Sequence, residues 1–187
     1  MRGELRQIVE YTAHRPRRVA KPLTEALSRV PLAVNARYST DEILAALGWA
    51  ELGRRAPAHM QGGVAWAPAT QCDALLVTLR KNEKEFSPQT MYRDYALTPE
   101  LFHWESQNST SGTSSVGVRY QNHAQLGSHI LLFTRESKST EAGHPEPYVF
   151  HGTAHYVEHR GEKPMAVTWR LDEPMPEELF RRAAVAG

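Results

Sequence analysis

A chain of 187 residues, 41 % hydrophobic and 23 % charged, carries enough apolar material to bury one core and excludes wholesale disorder. A net charge of +1 neither demands nor excludes a nucleic-acid partner, and the single cysteine, Cys72, excludes an internal disulfide and a thiolate metal cluster. No apolar run reaches the roughly 18 residues of a membrane span, and the N-terminus lacks a signal-peptide core, so a cytoplasmic protein without membrane contact is expected.

In chain order, residues 3–13 set Leu5, Ile8, Val9 and Ala13 at helical spacing, up to a break at His14-Arg15-Pro16. Residues 1–37 hold eight Arg and Lys against three Glu, crowded at Arg15, Arg17, Arg18 and Lys21. Such an arm neutralises phosphates without reading sequence, although a solvated loop between helices accounts for it equally well. Residues 22–30 read as a second short helix stopped by Pro31. Ser39 or Thr40 then caps the apolar-periodic run Ile43-Leu44-Ala45-Ala46-Leu47, with Asp41 and Glu42 at the positive end of the helix dipole. Gly48 and Gly53 close it.

Beyond Gly62-Gly63 the period changes. Residues 64–67, 74–79 and 128–135 read as strands, and Cys72 as a small buried core residue. Residues 148–151, 155–159 and 165–171 continue as a meander, with turns expected at Gly152 and at Arg160-Gly161. Residues 176–184 form a closing helix, acidic early and basic late. Residues 109–115 are rich in hydroxyls and run into a helix over 116–124 that carries Arg119 and His123. Such a loop suits either anion binding or a flexible linker. The class is therefore α+β: a helical lead over 1–50 entering a sheet-rich core over 60–187, in one domain. The sheet is expected to be mixed and to curl into a barrel-like, PUA/SRA-like form, an expectation resting on analogy with modification readers.

Long motifs fill the centre and the C-terminal half. They are Phe86-Ser87-Pro88-Gln89-Thr90-Met91-Tyr92-Arg93-Asp94-Tyr95, Leu101-Phe102-His103-Trp104-Glu105, Leu131-Leu132-Phe133-Thr134-Arg135-Glu136 and Pro164-Met165-Ala166-Val167-Thr168-Trp169. From near Val34 almost to the end, the chain resembles a family of unknown function that forms the C-terminal region of many bacterial DEAD/DEAH-box helicases. An N-terminal phospholipase-D-type nuclease domain often precedes those helicases. The resemblance implies association with DNA unwinding and restriction-like defence, with a helicase or nuclease as partner or parent chain; it supplies no characterised active site. His151 and His155 stand where that family carries an apolar residue and an Asp. No G-x-x-x-x-G-K-[ST] phosphate loop is present, so no ATP hydrolysis is expected of these residues.

Three constellations bear on chemistry. Tyr92, Arg93, Tyr95, His103, Trp104, Gln107 and Asn108 gather rings with forked polar groups, a set suited to stacking on a base and bonding its edge. On a strand, Phe102, Trp104 and Ser106 face one way while His103, Glu105 and Gln107 face the other; core packing is the competing account. Adding Ser109, Arg119, His123 and the basic arm completes the expected DNA-binding surface, with binding, no turnover and no cofactor. Glu136 and Lys138, joined by Asp73 or Asp94, form the alternative: an E-x-K site for a Mg²⁺-dependent nuclease. His151, His155 and His159, spaced by four, read better as surface or turn residues than as metal ligands. A docking module for a helicase is the third reading.

Overall fold

The structure is a computed structural model, and it describes residues 19–49, 62–80 and 94–184. Two apolar runs, β5 (Cys72–Thr78) and β8 (His129–Arg135), pair in parallel from Cys72 opposite His129 to Thr78 opposite Arg135. Every residue of β5 is buried, as a parallel strand covered on both faces requires. Between them the chain crosses over through β6 (Tyr95–Ala96), β7 (Leu101–Glu105) and α2 (Ser115–Asn122). The remaining partners are β4 (Val64–Ala67), β9 (Tyr148–Arg160) and β10 (Ala166–Leu171), in the order β4-β5-β8-β9-β10-β7-β6. A short β3 (Arg37–Tyr38) also pairs with β9, while β1 (Lys21–Pro22) and β2 (Ala33–Val34) form a separate ribbon.

Alternation divides the side chains into two cores. Leu75, Val77, Ile130, Leu132, Trp104 and Trp169 face α2 and the last described helix, α3 (Glu177–Ala184), which contribute Tyr120, Leu179 and Ala183. Ala74, Leu76, Leu131, Phe133 and Phe150 face the N-terminal segment and α1 (Thr40–Ala46), which contribute Leu32, Ile43, Leu44 and Leu47. A Trp169-centred cluster stiffens the first core, with Trp104 at 6.2 Å, Tyr120 at 6.0 Å and Tyr156 at 6.2 Å between ring centroids. Such pairs each add about 0.5–1.5 kcal/mol beyond burial.

The α+β class and the mixed sheet are as expected, but the barrel is not. The sheet is open, with β4 and β6 at opposite ends of its path. Helical segments bury both of its faces, so its apolar residues leave water without closure. The expected helix over 22–30 is a single 3-10 turn at Glu25–Leu27, because Leu27, Val30 and Leu32 dock separately onto the second core. The helix over 3–13 lies outside the described residues. The expected turn at Gly152 is a β-bulge instead: Leu132 faces Gly152 while Phe133 faces Phe150, and β9 runs on through it. Gly152 takes φ +94°, which a side chain would resist there. No helix among the described residues is long and apolar enough to cross a membrane.

Candidate nucleic-acid interface

Alternation along β5 puts Asp73 on the same face as Leu75 and Val77, beneath α2. α2 is fixed at its start by Ser114, whose Oγ accepts from the Gly117 N–H at 3.1 Å. Val116, Arg119 and Tyr120 then share one helical face toward the sheet. Arg119 meets Asp73 in a two-point pair: Nε donates to Oδ2 at 2.7 Å and Nη2 to Oδ1 at 2.8 Å. The same guanidinium sits over the Trp66 ring, 4.2 Å from its centroid. Asp73 is fully buried, whereas the Arg119 side chain keeps 21 % of its surface exposed. Burial pushes the Asp73 carboxyl above its ordinary value, against the pull of the two Arg119 bonds, and those bonds hold Arg119 more firmly cationic.

Above this pair opens a cleft of about 300 Å³, walled by Trp49, Trp66 and Val116, with Asp73, Arg119 and Gln107 as its polar groups. Apolar walls with a few convergent polar groups are the usual make-up of a small-molecule site. Gly62, at φ +104°, makes room for Gln107: a Cβ there would lie 2.6 Å from Gln107 Nε2.

Of the expected DNA-binding residues, Gln107 and Arg119 come together in this cleft. Trp104 is core, packed edge-on against Tyr120 at 5.6 Å. His103 packs at a tilt against Tyr95, 4.9 Å between ring centroids, on the β6–β7 edge, away from α2. His123 is buried; its Nδ1 bonds the Ser128 carbonyl oxygen and its Nε2 accepts from the Tyr156 N–H. Burial pushes its pKa down, which suits a neutral ring tying α2 to the sheet. Asn108 and Ser109 are exposed. Around residues 109–115 the polar groups are largely engaged: Ser111 N–H donates to Ser114 Oγ, and Gly112 N–H donates to Glu162 at 2.7 Å. Lys21 pairs with Glu173 at 2.6 Å. Arg15, Arg17, Arg18, Tyr92 and Arg93 lie outside the described residues.

The E-x-K set does not converge. Parallel register places Asp73 opposite Ile130, six residues before Glu136, a separation of about 20 Å at the strand rise. Glu136 pairs with Arg80 at 3.0 Å, and Asp94 accepts from the Glu105 N–H at 2.9 Å. The Lys138 carbonyl oxygen accepts from the Arg135 guanidinium at 3.5 Å. His151, His155 and His159 have separate partners: the Thr134 hydroxyl, Asp172 and the Tyr156 hydroxyl. Among the described residues, no three His, Cys, Asp or Glu are grouped to hold a metal.

A second, larger cleft of about 470 Å³ is lined by Glu25, His123, His129, Thr153, His155 and Asp172. Its Asp172 carboxylate is held by Thr153 and by His155 at 2.8 Å, and burial pushes His123 and His129 toward the neutral form. With Glu25 and Asp172 in its wall, this cleft has little to offer a phosphate.

Local sequence gave no sign of Trp49, Trp66 or the Asp73–Arg119 pair. One signal was available: Trp66 lies opposite Asp73 in the β4–β5 register, so a single strand pairing would have brought them to one face.

An open mixed sheet covered by helical segments, with a cleft walled by tryptophans, defines an α+β domain. Residues 32–183 match the family described as "Domain of unknown function (DUF3427)", and the chain belongs to that family. No curated protein matches it.

Proposed function

We propose that the chain is a DNA-binding module, a reader of modified DNA that serves a helicase- or nuclease-linked restriction-type defence system, and that an extruded base enters the Trp49–Trp66 cleft. The observation that carries this reading is the Arg119 guanidinium, held from below by Asp73 and seated over Trp66 at the cleft floor. Rings beside a cleft stack on any base, and a locked Arg adds edge-specific hydrogen bonds. The site is at the small end of ligand clefts, which run about 300–1,000 Å³. The helicase partner follows from the family resemblance in the central and C-terminal motifs. The separation of Asp73 from Glu136 disfavours the nuclease alternative.

A titration with labelled unmodified, base-methylated and phosphorothioate duplexes, and with single strands, at two salt concentrations tests the proposal. Salt-sensitive binding that prefers one modified duplex, with no Mg²⁺-dependent cutting and with loss of the preference in Trp66→Ala, is the expected result. Failure to bind any of these DNAs would leave helicase docking as the better account.

A further inference from the structure

We infer, on the strength of the base-cleft reading above, that the base the cleft accepts is guanine, read through its N7 and O6 atoms. Asp73 spends both carboxylate oxygens on Arg119, along the Nε–Nη2 edge of the guanidinium. Asp73 is wholly buried, so the pair turns the donors of Arg119, and not the carboxylate, toward the cleft. What it presents is the end-on fork of Arg119, one N–H on Nη1 and one on Nη2. Two adjacent acceptors on one flat edge match that fork, and among the bases guanine carries them as N7 and O6. Adenine sets an amino group beside N7 and cytosine carries an amino group at C4, so each sets a donor against a donor of the Arg119 fork. Thymine has a lone acceptor, O4, beside a methyl group on that edge.

Charge points the same way. The carboxylate beneath Arg119 neutralises it within 2.8 Å, so a free phosphate or carboxylate gains little while losing its hydration. A neutral base with a large apolar face loses less water and gains the Trp49 wall and the part of Trp66 that Arg119 does not cover. The guanine Watson–Crick edge and N2 are not contacted by the fork, so hypoxanthine, which lacks only the N2 amino group, retains all that Arg119 reads.

Quenching of tryptophan fluorescence by thymine-rich single strands carrying one guanine, hypoxanthine, 7-deazaguanine or adenine tests this. Guanine and hypoxanthine strands are expected to bind alike, and each roughly 5- to 150-fold tighter than the 7-deazaguanine and adenine strands. Arg119→Lys, which keeps the charge and loses the fork, is expected to erase that difference while still binding all four. Equal binding of the four strands to the native protein would overturn the guanine assignment and leave the base cleft standing. Guanine binding without hypoxanthine binding would move recognition to the other edge of the base and overturn the N7/O6 contact. Absence of quenching by every strand would overturn the cleft reading itself.

Discussion

Replacing Arg119 with Met removes the two-point partner of a carboxylate that is wholly buried at Asp73. Breaking one side of a buried ion pair costs about 3–5 kcal/mol, against a total stability of about 5–15 kcal/mol for a domain. The double variant Asp73→Val/Arg119→Met removes both charges and puts a β-branched residue on β5, so most of that loss should be recovered. The sign of the pH effect follows from burial. Asp73 already has a raised pKa in the native protein, and losing Arg119 removes the bonds and the charge that oppose the rise. A carboxyl whose folded pKa lies above its unfolded value binds its proton more tightly in the folded state. The folded state is then favoured at low pH, and stability falls as pH climbs from the ordinary carboxylate range through the raised value. Urea unfolding of the native, single and double forms at pH 5 and pH 8 measures both effects. The single variant's deficit should be larger at pH 8, and the double variant should lie close to native at both. A double variant as unstable as the single, or a deficit indifferent to pH, would refute the reasoning.

Three further outcomes are expected. Gly117→Ala drives a Cβ into the Ser111 carbonyl oxygen and against Met165 Sδ, so α2 must lift; a loss of about 3 kcal/mol or more should appear in thermal unfolding. Gly62→Ala pays about 1–2 kcal/mol for its left-handed backbone and displaces Gln107, so DNA affinity should fall while the far-ultraviolet circular dichroism stays native. Burial pushes the Cys72 thiol up to about 11, and labelling by a thiol reagent at pH 8 should run at least about a hundred-fold slower in the folded protein than in urea.

Local chemistry made some of this legible in the sequence. Ser39 and Glu42 form the full capping box of α1, with Ser39 N–H donating to the Glu42 carboxylate at 2.7 Å, because every partner lies within three residues. Apolar runs gave β4, β5, β8 and β10 to within a residue or two, and alternation grouped Phe102, Trp104 and Ser106 on one face, which is the buried one. Gly152 reads locally as a turn, and only the register of β8 against β9 makes it a bulge. The site was half visible for the same reason. Arg119 and Gln107 stand out as forked polar groups, but the partner that fixes Arg119 is 46 residues away, on a strand whose face depends on its pairing. Arg119 on α2 and His123 at its C-cap part company because Arg119 reaches Asp73 while His123 reaches Ser128 and Tyr156. Trp104, the most prominent ring of the predicted surface, is claimed by the Trp169 cluster.

The four tryptophans supply a measurement with its own controls. Trp49 and Trp66 wall the cleft, while Trp104 and Trp169 are buried in the core. In a ¹H–¹⁵N spectrum the four indole N–H signals can be assigned by single Trp→Phe variants and followed as DNA is added. Base entry predicts that the Trp49 and Trp66 signals shift in step with saturation while those of Trp104 and Trp169 hold still. DNA that binds without moving the Trp66 signal, or that moves all four alike, would contradict the account.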